Sequence, residues 1–164
     1  MSRLDSFIRR LEAQRACLDH AASLVAALAG PVFEIGLGNG RTYDHLRERL
    51  ATREIFAFDR QLAAHPDSTP PEGHLVLGDV VETLPRFVRR LGARAALIHA
   101  DIGSGDVLAT AALAAALGPK LADAAAPDAV VACDQPLVVP GRLAPLPLPE
   151  GVAPGRYFLY RAVG

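Results

Sequence analysis

Glycine occupies alternate positions of the segment Glu34-Ile35-Gly36-Leu37-Gly38-Asn39-Gly40, between a short apolar run at Val32–Ile35 and a helical pattern from Arg41 to Leu50. Strand, glycine turn and helix in that order open a ligand-binding βα unit. Glycine reaches positive φ freely, and its missing Cβ lets a ligand approach the backbone. The spacing discriminates between ligands. A dinucleotide turn, G-x-G-x-x-G, places its third glycine where the pyrophosphate meets the helix, which here would be position 41. Arg41 stands there instead, and the third glycine falls one residue earlier. By itself the turn is equally compatible with glycines needed only for backbone geometry.

The rest of the chain alternates short apolar runs with helical patterns. Strands are expected at Val32–Ile35, Ile55–Phe58, Leu75–Leu77, Ala95–Ile98 and Ala129–Ala132. Between them lie helices at Arg41–Leu50, through Leu84, Phe87, Val88 and Leu91 to Gly92, and from Asp106 to Leu117, where Gly118-Pro119 marks a stop. This alternation predicts an α/β fold with a largely parallel sheet and helices on both faces. Before it, Ser2 and Asp5 form a capping pair for an N-terminal helix, or two joined end to end, that stops at Gly30-Pro31. Leu4, Leu11, Leu18 and Val25 recur at heptad spacing, joined by Phe7, Ala21 and Leu28 and interrupted by Gln14. That stripe suits packing on the sheet, and also suits pairing with a second copy; so short a pattern favours packing. From Pro136 to Pro154 prolines are frequent, and a last strand follows at Tyr157–Tyr160. The expected organisation is one domain: a helical segment at 1–30, a binding core at 31–135, and a proline-rich tail with its strand at 136–164.

Composition narrows the classes. The 164 residues are 51% hydrophobic and 21% charged, as expected of a soluble globular domain. A net charge of −1 lacks the basic footprint of a nucleic-acid binder. Cys17 and Cys133 are far apart and form no CxxC pair, which argues against a disulfide framework and a structural zinc site. Charges at Arg3, Asp5, Arg9, Arg10 and Glu12 interrupt any signal-peptide pattern, and the stretch Val107–Leu117 is short of the ~20 residues of a membrane span. The cytoplasm is the expected compartment, with no membrane partner.

Acidic residues end four successive strands. Asp59 follows the second, placed to accept both ribose hydroxyls of a nucleoside; Gly78-Asp79 follows the third and Asp101 the fourth. Together with Glu34 they gather at the edge where open α/β sheets bind ligands. Each Asp alone could be an ordinary helix cap or turn residue.

With these residues in place, the spacing E-x-G-x-G-x-G resembles motif I of the class I S-adenosylmethionine (SAM) methyltransferases. The whole chain is similar to a small family of stand-alone bacterial members, on the segments Gly36–His45 and His65–Pro71. The resemblance implies a three-layer Rossmann-like sandwich, shortened after strand five, where a helix and one strand give way to the proline-rich stretch. It implies SAM as cofactor, with S-adenosylhomocysteine (SAH) as product. It places Gly36, Gly38, Asn39, Gly40, Thr42 and Tyr43 around the methionine part and Glu34 at its amino end, directly or through water. Asp59 and Arg60 fall at the ribose, Gly78, Asp79 and Val80 at the adenine, and Asp101 beside the transferred methyl, where it is the candidate base.

The size of the chain points to a small-molecule acceptor. Asp101-Ile102-Gly103-Ser104 is not the Asn/Asp-Pro-Pro-aromatic signature of nucleobase and glutamine amino methylases. No metal is expected, although Asp101, Asp134 and Gln135 could occupy the places of a catechol-type Mg²⁺ site. His99, one residue inside the end of strand four, is expected in the core; His20 and His45 are expected as surface or lid residues. Two other functions remain open at this point, a non-catalytic SAM- or SAH-binding protein and an NAD-dependent oxidoreductase.

Overall fold

Strand register, more than any single contact, positions the site. The computed structural model describes residues 2–164. In chain order it contains α1 (Arg3–Leu24), β1 (Val32–Ile35), α2 (Arg41–Arg49), β2 (Ile55–Asp59), β3 (Leu75–Leu77), α3 (Val80–Leu91), β4 (Ala95–Ala100), α4 (Val107–Ala124), β5 (Ala125–Cys133), β6 (Leu143–Pro145) and β7 (Phe158–Ala162). The strands form one sheet in the order β3-β2-β1-β4-β5-β7-β6. The first five run parallel, and β7 is antiparallel to both β5 and β6. Glu34 of β1 lies opposite Ala57 on one side and His99 on the other, and His99 in turn faces Ala132 of β5.

Alternation sends successive side chains to opposite faces. Phe33, Ile35, Phe56, Phe58, Ile98 and Val131 meet Leu84, Phe87, Leu117 and Leu121 from α3 and α4. Val32, Ala57, Leu97, Val130 and Leu159 meet Leu18, Ala21, Val25 and Leu46 from α1 and α2. Because both faces are covered, the central strands read as continuous apolar runs. Phe33 sits at the middle of an aromatic group, with ring centroids 5.7 Å from Phe58 and 5.9 Å from Phe87.

Ser2 and Asp5 make the expected reciprocal cap of α1, at 3.0 and 2.9 Å. The stripe of α1 divides. Leu18, Ala21 and Val25 are buried, whereas Leu4 and Phe7 are exposed.

Two expectations are corrected. Helix α4 does not stop at Gly118-Pro119 but continues to Ala124, with Pro119 inside it. Gly118 lets this helix lie close to the tail: a Cβ there would be 3.1 Å from Val139 Cγ2. At 18 residues and a mean hydropathy of 1.3, α4 is long and apolar enough to cross a membrane by those two measures. Its apolarity comes from Val107, four leucines and its many alanines; Ala114, Leu117 and Leu121 pack in the core, while alanines 111, 112, 115 and 116 are exposed. The second correction concerns the proline-rich tail. It has no helix among the described residues, as expected, but it carries β6, so the sheet keeps seven strands. Pro145 is accommodated because β6 is an edge strand, where a missing N–H breaks no ladder on the free side.

Phe33→Ala should destabilise the fold by about 3–5 kcal/mol, the usual cost of truncating a buried aromatic. Leu108→Ala, at an 83% exposed position, should change stability by less than about 0.5 kcal/mol. Urea denaturation midpoints check both.

Candidate functional site

The parallel strands end at one edge of the sheet, and the loops after β1 to β4 there enclose a cavity of about 490 Å³ with part of α1. The glycine turn contributes one wall. Gly36 has φ 84°, and a Cβ on it would lie 2.2 Å from the Asp101 carbonyl oxygen, so only glycine lets the turn cross the end of β4. Gly38 has φ 52° and nothing within 4 Å of where its Cβ would stand, leaving its backbone open to a ligand. Asp59 closes the next corner: its carboxylate accepts from the Gly38 amide at 2.8 Å and from the Arg60 amide at 2.6 Å.

Asp101 stands between the turn and α1. One oxygen accepts from Gln14 Nε2 at 3.0 Å, and the other is 3.6 Å from Arg10 Nη1. Arg10, Leu11 and Gln14 all line the cavity, and none of the three stood among the expected site residues. Their signal in the sequence was the polar Gln14 breaking an apolar stripe.

Of the expected residues, Gly36, Gly38, Asn39, Thr42, Asp59, Arg60, Gly78, Val80 and Asp101 line the cavity, while Glu34, Gly40, Tyr43 and Asp79 do not. Gly40 serves the fold, since a Cβ there would lie 2.6 Å from Ser68 Cβ. Tyr43 is 5% exposed and packs with Leu46 in the core under α1, with the Arg47 guanidinium over its ring. Burial raises its phenol pKa, partly offset by Arg47. Asp79 caps α3, accepting from the Val81 amide at 2.9 Å. Glu34 is wholly buried: it accepts from the Thr42 hydroxyl and lies 2.6 Å from His99 Nδ1. It therefore braces the turn from behind, because both oxygens already have partners.

Asp134 and Gln135 also lie off the cavity wall. Asp134 accepts from the Ile102 amide at 2.9 Å and the Gly103 amide at 3.0 Å, with Gln135 Nε2 a further donor at 2.9 Å. Its oxygens pin the loop after β4, and a Mg²⁺ there would have to displace those bonds. Among the described residues no three His, Cys, Asp or Glu side chains converge as metal ligands.

Residues 1–162 match the S-adenosyl-L-methionine methyltransferase family. A crystal structure of an S-adenosyl-L-methionine methyl transferase from Silicibacter pomeroyi is 48% identical, covers 98% of this chain and 99% of its own, and superposes with a TM-score of 0.91. The chain belongs to the S-adenosyl-L-methionine methyltransferase family. More distant folds agree. The 16S rRNA (adenine(1408)-N(1))-methyltransferase from Catenulisporales acidiphilia, solved with SAM, is 16% identical over 90% of this chain and 91% of its own, with a TM-score of 0.52. MycE from the mycinamycin biosynthetic pathway, solved with Mg and SAH, is 15% identical over 82% of this chain and 41% of its own, with a TM-score of 0.54. No curated protein sequence matches the chain.

The protein is thus a methyltransferase with SAM as its cofactor, and the oxidoreductase reading falls. The residues present fit that cofactor. Gly38 offers open backbone, Asp59 a carboxylate beside it, and Arg10 with Asp101 one charge of each sign.

Behind the cavity, burial opposes a charge on His99. The Glu34 carboxylate, through attraction and its hydrogen bond, together with Asp101 and Asp134, outweighs burial. The pKa of His99 is therefore raised in the folded state. Stability from the Glu34–His99 pair is fully present below the unfolded histidine value of about 6.5 and is lost as pH rises through the folded one. The stability difference between the wild type and His99→Gln, from urea midpoints, should be largest near pH 6 and shrink toward pH 9. A difference constant with pH would mean a neutral His99.

Proposed function

We propose that the methyl acceptor is a small molecule held at the outer side of the cavity. The observation that carries this reading is the shape of the site. About 490 Å³ is walled by Arg10, Leu11 and Gln14 of α1 on one flank and by Ala109, Thr110 and Leu113 of α4 on another. A cavity of that size between two helices suits a small ligand, whereas a polymer needs an open groove. The net charge of −1 adds no phosphate-tracking surface. The relatives include an rRNA methyltransferase, so RNA is the alternative to be tested.

When bound, the cofactor supplies a methyl group on a sulfonium sulfur; the acceptor's lone pair forms the new bond in line as the sulfur–carbon bond breaks and SAH leaves. For such a displacement most of the rate comes from positioning. In the proposed arrangement Asp59 accepts both ribose hydroxyls, releasing the Gly38 amide, and Gly78 and Val80 flank the adenine. Asp79, exposed at the start of α3, would have to give up its cap of the Val81 amide to reach the exocyclic amine. Arg10 and Asp101 face each other at 3.6 Å, and the cofactor's carboxylate and ammonium groups complement them. This gives Asp101 the cofactor's amino end, which the motif resemblance had given to Glu34. Service as a general base would require Asp101 to give up Arg10 and Gln14.

The proposed compartment is the cytoplasm, in keeping with two free, buried thiols, Cys17 and Cys133.

Asp59→Ala should weaken SAH binding by about 1–3 kcal/mol in calorimetric titration, since it removes hydrogen bonds to a charged acceptor. An unchanged dissociation constant would misplace the ribose. For the acceptor, SAH release should be supported by members of a panel of phenols, carboxylic acids and amines. Release only with RNA or a peptide would overturn the small-acceptor reading.

A further inference from the structure

We infer that the paired hydroxyls of Ser104 and Thr110 anchor the acceptor, and that the acceptor is an uncharged molecule offering them a lone pair beside an apolar body. This rests on the reading of the acceptor as a small molecule at the outer side of the cavity, where α4 forms one flank.

That flank is built from α4 and from the loop after β4. Ile102, Gly103, Ser104, Ala109, Thr110 and Leu113 line the cavity there, and none carries a charge. The charged lining residues come from elsewhere: Arg10 from α1, Arg41 from the start of α2, and Asp59, Arg60 and Asp101 from the ends of β2 and β4. Asp101, next in sequence to the flank, is taken up by Arg10 and Gln14. The positive end of α4 is likewise occupied, because Asp106 caps it and accepts from the Ala109 amide at 3.0 Å. A carboxylate on this flank would meet no cation, and an ammonium group no free acid.

The loop is fixed before any ligand arrives. Its first two amides, of Ile102 and Gly103, donate to Asp134, and the third, of Ser104, donates to Thr110 Oγ1 at 3.2 Å. A Cβ on Gly103 would lie 2.6 Å from Asp134 Oδ2, so the close approach needs glycine. Side chains from the loop after β5 and from α4 thus hold three successive residues, and the Ser104 hydroxyl is presented from a rigid support.

The inventory of donors and acceptors sets what the pair offers. Ser104 Oγ and Thr110 Oγ1 are 3.2 Å apart and share one hydrogen bond. Two hydroxyls bring two protons, and that bond uses one. Among the bonds of the described residues neither hydroxyl donates to anything else; the amides of Ser104 and Asp106 donate to them. Thr110 is 6% exposed, whereas Ser104 is open to the cavity. The buried hydroxyl therefore gives its proton to Ser104, whose oxygen also accepts from the Asp106 amide at 3.4 Å. Both lone pairs of Ser104 are then in use, and its own proton is free. The pair presents one O–H donor to the cavity and no acceptor. A carbonyl, ester or ether oxygen satisfies it, and a second donor does not. Ala109 and Leu113 on the same flank, with Leu11 on the α1 flank, supply apolar surface for the rest of the molecule.

The test compares matched phenols and amines that carry, beside the nucleophile, a neutral ester, a carboxylate or an ammonium group. SAH release should have its highest kcat/KM with the esters, by about tenfold or more over either charged form. Ser104→Ala preserves the loop, because the residue 104 amide still reaches Thr110. It should lower kcat/KM for the esters about three- to tenfold, through KM, the size expected for one neutral hydrogen bond. The SAH dissociation constant should stay within about twofold, and so should kcat/KM in Thr110→Ser, which keeps the hydroxyl. Parent compounds without the added group should not respond to Ser104→Ala. Charged forms that match the esters, an equal loss with the parent compounds, or an equal loss of SAH affinity would overturn this inference and leave the small-acceptor reading standing. If SAH binds but no small molecule supports release, the small-acceptor reading fails, and the anchor with it.

Discussion

The Glu34–His99 pair is the interaction on which the site depends. Two ionisable side chains at directly paired positions of neighbouring parallel strands are both fully buried. Placing charges in such a position costs several kcal/mol per ion unless every hydrogen-bonding site finds a partner. Here Thr42 satisfies Glu34 from the first turn of α2, and Tyr157 satisfies His99 from the segment leading into β7. The pair thus ties the helix after the glycine turn to the sheet, and ties the end of the chain to its middle. A slip of one residue between β1 and β4 would turn one of the two groups to the α3–α4 face and break the pair.

From this brace the front of the site follows. With β1 and β4 in register, Gly36 crosses the end of β4 against the Asp101 carbonyl, and Asp101 emerges beside the turn. Asp59 sits at the Gly38 amide. The result is a cavity whose polar groups are held by backbone amides and by α1, before any ligand arrives. Methyl transfer needs little more than this, because its barrier is lowered chiefly by alignment. The protein's charged groups work as a frame: one set buried to hold the turn, the other exposed to the cavity to hold a ligand.

The elements differ in how plainly the sequence announced them. The parallel strands were legible because covering both faces leaves uninterrupted apolar runs, bounded by glycine, proline or acid. Capping by Ser2 and Asp5 is a local event and was equally legible. The end of α4 was not. Gly118-Pro119 is a stop signal by propensity, yet packing on the sheet and against Val139 carries the helix another turn and more. Strand β6 is three residues with a proline, and nothing local distinguishes it from the loops around it; its partner β7 creates it. Asp134 had the spacing of a metal ligand, but what its oxygens do depends on two amides more than 30 residues away in sequence.

By itself the sequence determined the layered α/β architecture, the glycine turn and the acids at the strand ends, because each rests on short-range periodicity or on the conformational needs of single residues. The position of the third glycine and of Arg41 argued against a dinucleotide, and the resemblance of the motif supplied the cofactor class. Which acid faces the cavity was decided only by the tertiary structure. Glu34, first in the motif, is turned inward by its register opposite His99, and Asp101 takes the exposed place with Arg10 and Gln14 from the far end of the chain. Burial and partnership are properties of the packed molecule, and alternation along a strand cannot say which neighbour a buried carboxylate will meet.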